Sequence, residues 1–191
     1  RQKLIQDFNK VFQTDWKQAL FPYHRIHATD IIQDPRPDPM NTAYRQALSR
    51  GTNPLRLWEL TSTKYWLGNT FVMAKDMDAL MGTTNKFTVH TRFDHVPITG
   101  RTNAYTALVS EQGRMALVEF DRALPRAGIY KSWRSGLADK EQLSILPRTD
   151  WDPHREVLIS EKIPAAQSTD ANATVVPARY LDYDPKWIVI E

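Results

Sequence analysis

Any transition-metal site in this chain would have to be built on its five histidines, because it has no cysteine. His24 and His27 lie three apart in a stretch that reads as a strand, which sends them to opposite faces, and His90 and His95 share that mismatch. No Glu-x-x-His spacing accompanies either pair, so no metal is expected. The absence of cysteine also excludes thiolate zinc sites, disulfides and cysteine nucleophiles. Asp182 and Asp184 are spaced to put two carboxylates on one face, as acid–base chemistry requires. Asp184-Pro185 is also a turn opener, like Asp34-Pro35, Asp38-Pro39 and Asp152-Pro153, and the turn is the favoured reading. Gly82-Thr83-Thr84-Asn85-Lys86 lacks the second glycine and the lysine spacing of a phosphate loop, and no Gly-x-Ser-x-Gly elbow occurs. No catalytic residue, metal or cofactor is therefore expected.

Aromatic side chains are more promising, with six tryptophans and seven tyrosines. Arg126, Tyr130 and Arg134 are the candidate ligand-binding residues. Read as one strand over residues 127–133, the segment puts Tyr130 and Arg134 on the side of Arg126 and turns Trp133 the other way, toward a core. Sugars stack their C–H faces on such rings while arginine donates to hydroxyls or phosphate, and single-stranded nucleic acid uses similar equipment. No RNP-like or helix-turn-helix pattern is present, so no nucleic-acid partner is expected. The competing reading has the rings filling a core. Pro125-Arg126 reads as a structural corner, with Arg126 able to pair a carboxylate such as Asp152.

These residues need elements to hold them. Leu4, Ile5, Phe8, Val11 and Phe12 form one helical stripe, and residues 23–29 read as a strand. Asn41 is the expected N-cap of a helix carrying Ala43, Tyr44, Ala47 and Leu48, with Gly51 at its end. Asn53-Pro54 opens a second helix, and Met73, Met77, Leu80 and Met81 mark a third that stops at Gly82. From Phe87 onward the pattern is of strands, with Glu111-Gln112-Gly113 as a hairpin loop between residues 105–110 and 114–120. Further strands are expected at 127–133, 155–160, 174–181 and 187–190, with a short helix over 139–146. The expected fold is α+β: helices mainly in the N-terminal half, packed on a mostly antiparallel sheet built by the C-terminal half. Residues 1–163 would form one α+β domain. Residues 164–191 would be a linker and the first strands of a truncated β-unit, or part of the same sheet.

A chain of 191 residues can bury one sizeable core. Its 41% hydrophobic content and mean hydropathy of −0.51 are those of an ordinary globular domain. No run approaches the roughly 18 apolar residues of a membrane helix, and the start lacks a signal-peptide pattern. The net charge of +3 fits a mixed, solvated surface better than a polyanion-binding one. Beginning at Arg1 and stopping at Glu191, the chain reads as a piece of a longer polypeptide.

Four stretches carry a family resemblance. They are the Pro54-Leu55-Arg56-Leu57-Trp58 turn running on to Lys64-Tyr65-Trp66-Leu67, Ala123-Leu124-Pro125-Arg126-Ala127 with its flanking strands, Trp151-Asp152-Pro153 with residues 155–159, and Tyr180-Leu181-Asp182-Tyr183-Asp184-Pro185-Lys186. Together they resemble the extracytoplasmic region of the YfhO-like bacterial membrane proteins, grouped with membrane-embedded glycosyltransferases that use polyprenyl-phosphate sugars. The resemblance covers residues 53–191. It implies a non-catalytic domain on the extracytoplasmic face of the cell membrane, joined to the transmembrane portion of the same polypeptide and helping to position a lipid-linked sugar or a cell-envelope glycan. Catalytic residues of that family lie in the transmembrane half, so none is carried over. The alternatives are a structural or protein-interaction domain of a cell-envelope protein and a free-standing carbohydrate-binding module.

Overall fold

The computed structural model describes residues 26, 27, 29, 38–51, 53–70, 77–102, 104–164, 173–184 and 186–191. The helix expected over residues 4–12, most of the strand expected over 23–29, Met73 and the loop over 165–172 lie outside them. The chain divides into two compact units, one built on Thr63–Asp121 and the other on Pro37–Ser62 together with Arg122–Glu191. The described helices are α1 (Pro39–Ser49), α2 (Arg56–Leu60), α3 (Met77–Met81) and α4 (Asp139–Ile145). None of them is long and apolar enough to cross a membrane.

The first unit is a four-stranded antiparallel sheet in the order β1-β4-β2-β3, with β1 at Tyr65–Asn69, β2 at Phe87–Pro97, β3 at Tyr105–Val109 and β4 at Met115–Phe120. Alternation in β4 buries Ala116, Val118 and Phe120 on one face, as an interior strand requires. Phe87 stacks on Phe120 with ring centroids 5.1 Å apart, and Trp66 meets Phe87 edge-on at 5.7 Å.

The hairpin expected at residues 111–113 does not form. β3 and β4 both pair with β2, Val109 and Met115 each opposite Phe93, and β2 lies between them. Residues 110–114 therefore carry the chain over β2. Gly113 lies so close to this strand that a Cβ would stand 2.4 Å from the Phe93 nitrogen and 2.7 Å from its Cα. The glycine is present for close backbone approach, not for a left-handed turn.

In the second unit α1 begins earlier than expected. The Asp38 carboxylate accepts the Asn41 N–H at 3.0 Å with Pro39 at the first helical position, so Asp38-Pro39 is a cap and not merely a turn. At the other end Gly51 allows contact with Pro147, whose Cβ would lie 2.6 Å from an added Cβ. Leu137, Ile145 and Trp151 form a buried cluster with Leu60, Leu146 and Leu158 packed against it.

Strands here are short. β5 (Gly128–Ile129) pairs antiparallel with β8 (Val176–Pro177), β6 (Trp133–Arg134) pairs parallel with β7 (Val157–Leu158), and β9 (Tyr180–Asp184) pairs antiparallel with β10 (Trp187–Ile190). The chain is thus α+β with mostly antiparallel pairing. Its largest sheet, however, straddles the middle of the chain, with β1 and most of β2 before the midpoint and β3 and β4 after it. Residues after 164 also join those before it: Ala178 N–H donates to the Ala127 carbonyl at 3.0 Å and Val175 N–H to the His154 carbonyl at 2.6 Å.

Candidate functional site

Arg56 and Glu59 sit one turn apart on α2 and therefore share a face. Both are buried, which costs several kcal/mol per charge unless the geometry compensates it. Here it does. Arg56 Nη1 donates to Glu59 Oε2 at 2.8 Å, while Nη2 donates to the carbonyls of Arg148 at 3.0 Å and Trp151 at 2.8 Å. The second carboxylate oxygen of Glu59 accepts Arg122 Nε at 2.7 Å, and the Glu59 carbonyl accepts the Leu124 N–H at 3.1 Å. Arg122 reaches on to Asp152 at 3.5 Å, which also has Arg155 at 3.7 Å. Burial pulls the Arg56 guanidinium below its usual range, and Glu59 and then Asp152 oppose that shift.

This network fixes three separate segments: α2, residues 122–124, and residues 148–152. Asp152 then turns the chain through its own carboxylate, which accepts the His154 N–H at 3.0 Å, so the Asp152-Pro153 turn opener forms as expected. The Tyr130 hydroxyl donates to the Pro153 carbonyl at 2.9 Å.

Those segments wall a cleft of about 600 Å³. Tyr44, Tyr130 and Trp151 contribute its rings, Asp38, Asp139 and Glu156 its carboxylates, and Asn41, Gln142 and Ser160 its neutral polar groups. Leucines 60, 124, 143, 146 and 158 supply much of the apolar lining. Burial pushes the Tyr44 phenol up to about 12 and raises Tyr130 as well, so both hydroxyls stay protonated near neutral pH. Trp151 is 5% exposed, carries the Arg56 guanidinium over its ring at 5.3 Å, and has its buried indole N–H without an acceptor among the described residues. Rings, hydroxyls and carboxylates in a largely apolar cleft suit a small polyhydroxylated ligand.

The three residues singled out in the sequence end up in different places. Tyr130 lines the cleft. Arg134 lies beside it, bonded to the cleft's Glu156 at 2.6 Å. Arg126 is exposed, with its guanidinium 5.4 Å from the Tyr180 ring centre, and the Asp152 carboxylate expected for it is held by Arg122 and Arg155. The parity argument that grouped the three fails because residues 130–132 are not in a strand. Sequence reasoning missed Asp38, Tyr44, Asp139, Trp151 and Glu156 as one site, since they come from three distant segments. Only the i, i+3 spacing of Arg56 and Glu59 offered a local signal of the network behind them.

Two of the histidines have aromatic neighbours in the first unit, His90 beside Tyr65 and His95 beside Phe93. Among the described residues no group of three or more His, Asp or Glu side chains is placed to hold a metal ion. The chain matches no protein-family model, no curated protein and no solved structure.

Proposed function

We propose that this chain is a non-catalytic extracytoplasmic domain of a bacterial multi-pass membrane protein of the YfhO-like, glycosyltransferase-like kind. Its second unit receives the glycan or the sugar of a lipid-linked donor and positions it for chemistry carried out by the transmembrane portion of the same polypeptide. The observation supporting this reading is the make-up of the cleft, in which Tyr44, Tyr130 and Trp151 stand with Asp38, Asp139, Glu156, Asn41 and Gln142. Rings stack on the apolar faces of a sugar while carboxylates and amides take up its hydroxyls, and the apolar walls exclude competing water. The binding face anticipated at Arg126, Tyr130 and Arg134 is thereby narrowed to Tyr130, with Arg134 acting through Glu156.

The test is a titration followed by NMR, with neutral sugars and with nanodiscs carrying an anionic glycolipid. Shifts grouped on Tyr44, Tyr130 and Trp151 are expected. Shifts confined to another surface, or none at millimolar sugar, would overturn the glycan reading.

A second reading, a structural or protein-interaction domain of a cell-envelope protein, is favoured by the β9–β10 hairpin. Leu181, Trp187, Ile188, Val189 and Ile190 are all exposed there, an apolar concentration typical of surfaces that meet a partner. Membrane-spanning helices encoded on either side of this segment in its parent gene would support both readings and exclude a free-standing carbohydrate-binding module.

A further inference from the structure

We infer that the ligand of the cleft carries a free amine: an amino-bearing glycan, and not the phosphate end of a lipid-linked donor. This rests on the cleft being the glycan site proposed above.

The sign of the wall supports it. Asp38, Asp139 and Glu156 line the cleft, and among the described residues no lysine, arginine or histidine lines it. The guanidinium placed beside it, on Arg134, is already bonded to Glu156 at 2.6 Å. An entering phosphate would meet the Asp38 and Asp139 carboxylates with no counter-charge among the described lining residues, whereas an ammonium group meets those carboxylates and ring faces. Ring faces attract cations through their quadrupole, most strongly where water is excluded. Trp151 already shows this behaviour, since the Arg56 guanidinium lies 5.3 Å from its ring centre. A molecule bearing an ammonium group and hydroxyls satisfies these carboxylates and rings better than a simple polyol.

The experiment uses one sugar skeleton at three charges. Glucosamine, N-acetylglucosamine, glucose and glucose 6-phosphate are titrated into the whole chain, with binding read from the NMR shifts of the cleft residues. Glucosamine should bind roughly threefold to tenfold tighter than N-acetylglucosamine, and glucose 6-phosphate should bind weakest. Asp139 is exposed at the start of α4, and Asp139→Asn should lower the glucosamine preference. Equal binding of the amine and its acetylated form, tighter binding of the phosphate, or an undiminished preference in Asp139→Asn would overturn the amine inference and leave the glycan reading standing. Failure of all four sugars to shift the cleft would overturn both.

Discussion

Arg56 and Glu59 form an ion pair at 2.8 Å with side chains only 4% and 3% exposed, and every contact they add ties a cleft-bearing segment to α2. Through Arg56 the pair holds the carbonyls of Arg148 and Trp151, and through Glu59 it holds Arg122 and the Leu124 N–H. Leu60, Leu124 and Trp151, all in the cleft wall, are therefore set by one buried pair.

Glu59→Ala should lower stability by about 3–5 kcal/mol, because it leaves the Arg56 charge buried without its counter-ion. Urea denaturation followed by tryptophan fluorescence measures it. Arg56→Lys should also destabilise, since an ammonium on a flexible stem cannot reproduce the planar fork that reaches one carboxylate and two carbonyls. A midpoint unchanged in both variants would reject the scaffolding role.

Gly113→Ala should cost about 1–3 kcal/mol or more, because the added methyl meets Phe93 backbone atoms that cannot rotate away. Gly82→Ala is the useful contrast: its Cβ would meet nothing within 4 Å, and its cost comes from the +66° φ alone. Thermal midpoints of the two variants separate a steric clash from a backbone preference.

Asp94 gives the first unit a pH dependence. The Arg114 guanidinium, donating at 2.6 Å, holds the Asp94 carboxyl below its ordinary value, with burial opposing. A carboxyl depressed in the folded state stabilises above its unfolded pKa of about 4. That contribution is lost as pH falls through the lower folded value. Asp94→Asn should therefore make the acid limb of a stability–pH curve shallower while leaving the shape above about pH 6 unchanged. An acid limb identical to wild type would show that the pair does not contribute.

Arg126→Ala should cost about 0.5–1 kcal/mol, the worth of an exposed cation–π contact with Tyr180, and not the larger loss expected of a buried pairing with Asp152. Chemical denaturation resolves the two.

The parts of this fold legible in the sequence were those governed by local chemistry. Asp152 opens its turn, and the alternating stretches after Phe87 became β2 and β4. Asn53, by contrast, bonds the Leu55 N–H in a turn, and α2 starts at Arg56 with Leu55, not Asn53, at its N-cap. What failed depended on distant partners. Nothing local distinguishes a glycine in a hairpin from one lying on a neighbouring strand, so the crossing at Phe93 could not be read from Glu111-Gln112-Gly113. The helix start moved from Asn41 to Asp38 because two good caps stand three residues apart, and Pro39 suits the earlier one. The cleft was illegible for the same reason as the crossing: Tyr44, Tyr130 and Trp151 converge only after α2 and the Arg122 and Trp151 segments are joined by buried charges.

The most direct test of the glycan-binding cleft is hydrogen–deuterium exchange of the whole chain with and without a saturating amino-bearing oligosaccharide. Slower exchange is predicted in residues 38–49, 139–146 and 151–158, the segments that wall the cleft, with the β9–β10 hairpin unchanged. Unaltered exchange in those three segments, or protection confined to residues 180–190, would contradict it.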